Sequence, residues 1–88
     1  MRALLTAQQF KRDVRRLHKK HHDLSKLMRV IELLRQNGSV SMSHDPHKLH
    51  GEWSNHWECH IESDWLLIYR VDAAFVYLYR TGTHNELF

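Results

Sequence analysis

The sequence predicts an α+β domain in which a short N-terminal strand and a two-helix hairpin pack on a small antiparallel sheet, closed by a short C-terminal helix. Three observations carry this. Apolar residues recur at helical spacing between Phe10 and Leu34, switch to alternation and then to a nearly continuous run between Trp57 and Arg80, and are separated by an aperiodic stretch from Ser39 to Asn55. With 88 residues, 42% of them hydrophobic and 26% charged, and no repeat or low-complexity tract, the chain makes one domain, residues 1–88, around one core.

Arg2 to Leu5 is long enough for one short edge strand. Thr6 and Gln9 then have capping-box spacing, so a helix should start there, with Phe10, Val14 and Leu17 buried and Lys11, Arg12, Arg15, Arg16, Lys19 and Lys20 on its other faces. After His21-His22, Asp23 can cap a second helix whose stripe is Leu24, Leu27, Met28, Ile31 and Leu34. Asn37-Gly38 ends it, because glycine tolerates the left-handed conformation. Ser39 to Asn55 reads as an irregular loop of a length that is often functional.

From His56 onward, Trp57, Cys59 and Ile61 alternate with Glu58, His60 and Glu62, which predicts one buried strand face and one ionisable face, with Glu58 a solvated carboxylate. The short connection Glu62-Ser63 leads to a central strand from Trp65 to Val71, and Asp72-Ala73 turns into a third strand from Ala74 to Arg80. The three form an antiparallel meander. Thr81-Gly82 ends the sheet, and Thr83 to Glu86 is a second capping box that puts His84 in the first turn of a terminal helix.

Charge is unevenly distributed. Residues 1–38 carry a net +7 and residues 39–88 a net −4, for +3 overall. A basic half points to a polyanion such as nucleic acid, against the competing reading of a merely solvated helix surface. The longest apolar stretch, Trp65 to Tyr69, is far short of the roughly 20 residues of a membrane span, and the N-terminus lacks the apolar core of a signal peptide, so the cytoplasm is the expected compartment. The single cysteine, Cys59, excludes an internal disulfide or multi-cysteine zinc site and reads as a small buried hydrophobe.

His47, His60, His84 and Asp64 form a candidate acid/base set. His60 and Asp64 flank one strand connection, and imidazole both takes and gives a proton near neutrality. Other readings compete. His18, His21 and His22 fall at i, i+3 and i+4, and His56 and His60 lie four apart, so histidine-mediated metal binding is one alternative. A non-catalytic module that binds only a partner protein or DNA is another.

The segments His47-Lys-Leu-His-Gly51, Glu58-Cys-His-Ile-Glu-Ser-Asp-Trp-Leu-Leu-Ile-Tyr69 and Arg80-Thr-Gly-Thr-His-Asn-Glu-Leu-Phe88 carry a resemblance to the YafQ branch of the RelE superfamily of bacterial toxins, over nearly the whole chain. The resemblance implies a fold like that of microbial ribonucleases and cofactor-free cleavage of mRNA in the A site of the 70S ribosome. It also implies inhibition by a cognate DinJ-like antitoxin, with operator DNA bound only through the antitoxin complex. The family's loop, strand and C-terminal histidines fall on His47, His60 and His84, its acid on Asp64 and its terminal aromatic on Phe88, which would stack on a base. His84 and His47 would be the base and acid in either order, with His60 stabilising the phosphorane and Asp64 orienting an imidazole. Lys11, Arg15, Arg16, Lys19 and Lys20 would meet ribosomal RNA phosphates. Two positions depart from the pattern: Pro46 stands where an acid is common, with Asp45 displaced by one, and Trp57 stands where a basic residue is frequent. Arg80 is the candidate cation to replace the latter.

Overall fold

The helices follow from their apolar stripes. In the computed structural model, which describes all 88 residues, β1 spans Ala3–Thr6, α1 Gln8–Lys19 and α2 Leu24–Asn37. Phe10 and Leu17 of α1 are buried, as is Asp13 beside them on the same stripe. The expected Thr6 cap does not form: Ala7 is the N-cap, without a side-chain bond. Thr6 instead completes β1 opposite Leu78, where the Ala7 N–H donates to the Leu78 carbonyl at 2.9 Å, so the sheet ladder fixes the helix entry. The Gln9 amide turns to Asp13.

Asp23 caps α2 as expected, its Oδ1 accepting the Ser25 N–H at 3.0 Å, and Gly38 terminates the helix at φ 75°. The buried stripe is Leu27, Val30, Ile31 and Leu34. Met28 departs from the expectation and is 53% exposed, because the i, i+3, i+4, i+7 set starting at Leu27 centres the contact face on Val30 rather than on Met28.

The remaining elements are β2 (His47–Lys48), β3 (Trp57–Glu62), β4 (Trp65–Val71), β5 (Phe75–Gly82) and α3 (His84–Leu87). They give a five-stranded sheet of order β1-β5-β4-β3-β2. The meander β3-β4-β5 is antiparallel as predicted. The sheet as a whole is mixed rather than antiparallel, because β1 pairs with β5 in parallel, Ala3 opposite Phe75 through Thr6 opposite Leu78. Parallel neighbours need a long crossover, and here both helices, the loop and three strands intervene. β2 forms inside the stretch expected to be irregular, and β5 runs on to Gly82.

Two turns set the register near the site. Ser63-Asp64, not Glu62-Ser63, makes the β3–β4 turn: Glu62 still pairs with Trp65, and a bulge separates that pair from His60 opposite Leu66. At the other end the Asp72 carboxylate accepts the Ala74 and Phe75 N–H groups at 2.9 and 2.8 Å.

The helices cover one side of the sheet with Phe10, Leu17, Leu27, Ile31 and Leu34 against Cys59, Leu67, Val76 and Leu78. Cys59 is the expected buried hydrophobe; burial, then the Glu58 charge, pushes its thiol up to about 12. A smaller cluster of Leu66, Ile68 and Leu87 lies apart, covered by Leu49, Trp53 and Tyr79. Trp65 is buried, and its indole N–H donates to Thr81 Oγ1 at 2.9 Å. No helix is long and apolar enough to cross a membrane.

Candidate active site

Cross-strand register builds the first part of the site. β2 pairs with β3 so that His47 stands opposite Glu58, and neighbours across a ladder share a face. Glu58 is not the solvated carboxylate the alternation predicted: it is 2% exposed and reaches His47 Nε2 at 3.1 Å through Oε1. The other ring nitrogen, His47 Nδ1, lies 3.0 Å from the Asp45 carbonyl. A carbonyl and a carboxylate are both acceptors, so each ring nitrogen of His47 has an acceptor group beside it. The site residue missed from sequence is therefore Glu58, and the one signal for it was its shared strand face with His60.

His60 follows on the same strand, two residues on, its ring 6.4 Å from that of His47 between centroids. Its Nδ1 lies 3.2 Å from the Ser63 carbonyl, and its Nε2 lies 3.7 Å from Asp45 Oδ2, a charge contact longer than a hydrogen bond. His44 fastens the loop from behind, its Nδ1 at 3.0 Å from the His60 carbonyl. Asp45 thus touches both imidazoles, one through its backbone and one through its carboxylate. It holds φ 49°, a left-handed value that Asp tolerates better than most residues.

The β3–β4 turn joins this pair to the C-terminus. Asp64 Oδ1 accepts the His84 backbone N–H at 3.1 Å and lies 3.8 Å from His84 Nδ1, so it caps the turn and leaves the imidazole without a hydrogen-bond partner. The expected capping box is present: Thr83 Oγ1 accepts the Glu86 N–H at 3.2 Å and Glu86 Oε1 accepts the Thr83 N–H at 2.9 Å. The His84 side chain is 60% exposed, and Phe88 lies 5.7 Å from it between ring centroids. The turn Ser63-Asp64 is therefore the common support, with His60 on one side and His84 on the other.

The cations divide into two groups. Arg80 Nε bonds Asp13 Oδ2 at 2.8 Å, Arg16 bonds Asp13 and pairs ionically with Glu86 at 2.7 Å, and Lys20 bonds Glu86. Lys11, Arg15 and Lys19 are exposed and form no ion pair within the chain. Burial alone would raise the Asp13 carboxyl, but hydrogen bonds from Arg80, Thr81, Arg16 and Gln9 outweigh it and hold the group below its ordinary value.

The helical histidine trio does not form as expected. α1 ends at Lys19 and His21 turns to φ 62°, so His18, His21 and His22 do not share a helix face, and the His22 ring sits 5.0 Å from Trp65. No three His, Cys, Asp or Glu side chains converge as a metal-binding group. A cavity of about 660 Å³ bordered by Val40, Met42, Pro46, Trp57, Tyr69 and Val71 is lined by none of the acid/base set. Trp57, 39% exposed, belongs to that cavity.

Fold and site together define a class: an α+β fold that gathers imidazoles and carboxylates around one strand turn, with a basic helix packed on the sheet. The chain matches the family model for the bacterial toxin of type II toxin-antitoxin systems, YafQ, over residues 2–88, and it belongs to that family. It is 36% identical over 81 residues to the mRNA interferase toxin YafQ of Escherichia coli, a match covering 91% of this chain and 88% of that protein. Its fold matches the crystal structure of Escherichia coli YafQ with a TM-score of 0.92 at 32% identity, covering 100% of this chain and 99% of that one. The crystal structure of the Escherichia coli DinJ-YafQ complex contains a chain that matches with a TM-score of 0.90 at 34% identity, again over 100% and 99%.

Proposed function

We propose that this chain is an endoribonuclease toxin that cuts mRNA in the A site of the ribosome and is restrained by a DinJ-like antitoxin. The observation that carries the reading is the grouping of His47, His60 and His84 with Glu58, Asp45 and Asp64 about one strand turn. The mRNA interferase name of the Escherichia coli relative and the DinJ-YafQ complex support it.

RNA is cut without outside help if a base removes the 2′-OH proton, an acid protonates the departing 5′-oxygen and donors stabilise the phosphorane between them. His84, whose ring makes no hydrogen bond, is suited to the base. His47, with an acceptor at each ring nitrogen, is suited to hold the proton that goes to the leaving oxygen. His60 lies beside His47 and would donate to the phosphorane. Asp64 orients the His84 turn, and Phe88 offers a face for base stacking, worth about 1–3 kcal/mol. Lys11, Arg15 and Lys19 are the free cations for ribosomal RNA phosphates, so ribosome binding should weaken with salt. The products are a 2′,3′-cyclic phosphate and a 5′-hydroxyl.

The test compares ribosome-bound and free mRNA under single-turnover conditions. Cleavage is expected on the ribosome and hardly at all on free RNA, and His84→Ala should lower the rate about 10²-fold or more while leaving ribosome affinity intact. Full activity of His84→Ala contradicts the assignment.

A further inference from the structure

The last turn of the chain cannot hold itself in place. α3 is four residues long, far too short to be stable unaided, and its one buried side chain is Leu87. His84 and Phe88 both face solvent. What fixes the turn is a chain of ionic contacts to α1. Glu86 Oε2 lies 2.7 Å from Arg16 Nε and 3.1 Å from Lys20 Nζ. The rest of the Arg16 guanidinium is also engaged, with Nη1 on Asp13 Oδ1 at 2.8 Å and Nη2 on the Thr81 carbonyl at 3.1 Å. Asp13, fully buried, additionally accepts from Arg80 Nε at 2.8 Å and from the Thr81 N–H at 3.1 Å. Gly82 lies directly under the Arg16–Glu86 contact. A Cβ there would stand 2.7 Å from Arg16 Nη2 and 2.8 Å from Glu86 Oε1, at a backbone φ of 154°. A side chain there would push both tips aside, on a backbone conformation that suits glycine.

We propose that Arg16 is a positioning residue for His84: acting through Glu86, it sets where the first turn of α3, and hence the imidazole, stands. The resemblance assigns Arg16 to ribosomal RNA phosphates, yet Nη1 and Nη2 donate to protein acceptors, and Nε lies buried 2.7 Å from Glu86 Oε2 in an ion pair that lacks hydrogen-bond geometry. Asp64 holds the His84 backbone from one side of the turn, and Arg16 holds Glu86 from the other. Removing the second hold leaves a four-residue turn tethered by Leu87, one amide and the exposed Lys20 contact to Glu86. This inference rests on the acid/base reading for its consequence in catalysis, although the positional part does not depend on it.

The experiment uses the full chain and two variants, Arg16→Ala and Gly82→Ala, the second of which alters no charge; a thermal melt verifies that each is folded. Amide hydrogen exchange of the free protein reads the position directly. The Leu87 and Phe88 N–H groups, which donate to the Thr83 and His84 carbonyls at 3.1 and 2.9 Å, should exchange faster in both variants, with β4 unchanged. Single-turnover cleavage at saturating ribosome should fall about 10- to 100-fold, the scale of a misplaced catalytic group, while ribosome affinity stays the same. In a His84→Ala background the same substitutions should cost less than about twofold more, because they act through a side chain no longer present. Unchanged exchange in both variants overturns the proposal whether or not the protein cuts RNA. So does a loss of ribosome affinity at full saturated rate, which makes Arg16 a phosphate contact, and so does an undiminished loss in the His84→Ala background, which makes its role merely structural. Absence of cleavage by the wild type defeats the acid/base reading and leaves the exchange result to decide the position.

Discussion

The two ends of the site are held by opposite means. At His47 the carboxylate is buried: Glu58 sits inside the β2–β3 ladder and meets the imidazole itself at 3.1 Å. At His84 the carboxylate is exposed: Asp64 projects from a turn, meets the backbone N–H at 3.1 Å, and stays 3.8 Å from the ring. A buried partner fixes a ring, and an exposed one fixes only the chain that carries it. The His47 end is organised by hydrogen-bonded strands, whereas the His84 end depends on the ionic contacts that run from Asp13 through Arg16 to Glu86.

Disrupting the second end at its root should have the largest effect on stability. Asp13→Ala leaves Arg16 and Arg80 without their buried partner and should cost about 3–5 kcal/mol, read from denaturant unfolding. A cost below about 1 kcal/mol, the value of a surface pair, would mean that the ionic contacts do not hold α3. At the first end, Glu58→Gln retains the shape but removes the charge facing His47; single-turnover cleavage should fall about 10²-fold if that pair supplies the acid. Asp64→Asn keeps an acceptor for the His84 amide and should cost less than about tenfold, because a neutral cap retains most of a charged one's effect. Equal losses for Glu58→Gln and Asp64→Asn would erase the distinction between the two ends.

The smallest effect is the most specific in pH. Glu86 is held down at about 2 by the Thr83 N–H, against a cost of burial, and then by Lys20 and Arg16, compared with an ordinary value of 4.5. A carboxylate whose folded value is depressed stabilises the fold fully above its unfolded value and loses that contribution as pH falls through its folded value. The difference in melting temperature between wild type and Glu86→Gln should therefore be constant near neutrality and shrink between pH 4.5 and about 2. A difference that persists unchanged at the acid end would place the stabilisation elsewhere.

What the sequence revealed is mostly local. The Asp23 cap, the Gly38 terminus, the meander and the Thr83–Glu86 capping box each depend on spacing within a few residues or across one turn. What it concealed depends on partners far along the chain. Nothing in Ala3 to Thr6 announces a parallel partner at Phe75 to Leu78, and nothing in Asp13 announces that it will be buried beneath Arg80. Alternation marked Glu58 as polar and therefore solvated, but β2, too short to show a pattern of its own, supplied His47 across from it. The same long-range closure withdrew Arg16, Lys20 and Arg80 from the set of free cations, leaving Lys11, Arg15 and Lys19.

The chemistry itself is read most directly from the ends of the cut RNA. mRNA bound to the ribosome and cleaved by the purified chain should carry a 2′,3′-cyclic phosphate on the upstream fragment and a 5′-hydroxyl on the downstream one, the products of 2′-oxygen attack assisted by the imidazoles. A 5′-phosphate on the downstream fragment would mean that water attacks instead, and the roles given to His47 and His84 would be wrong.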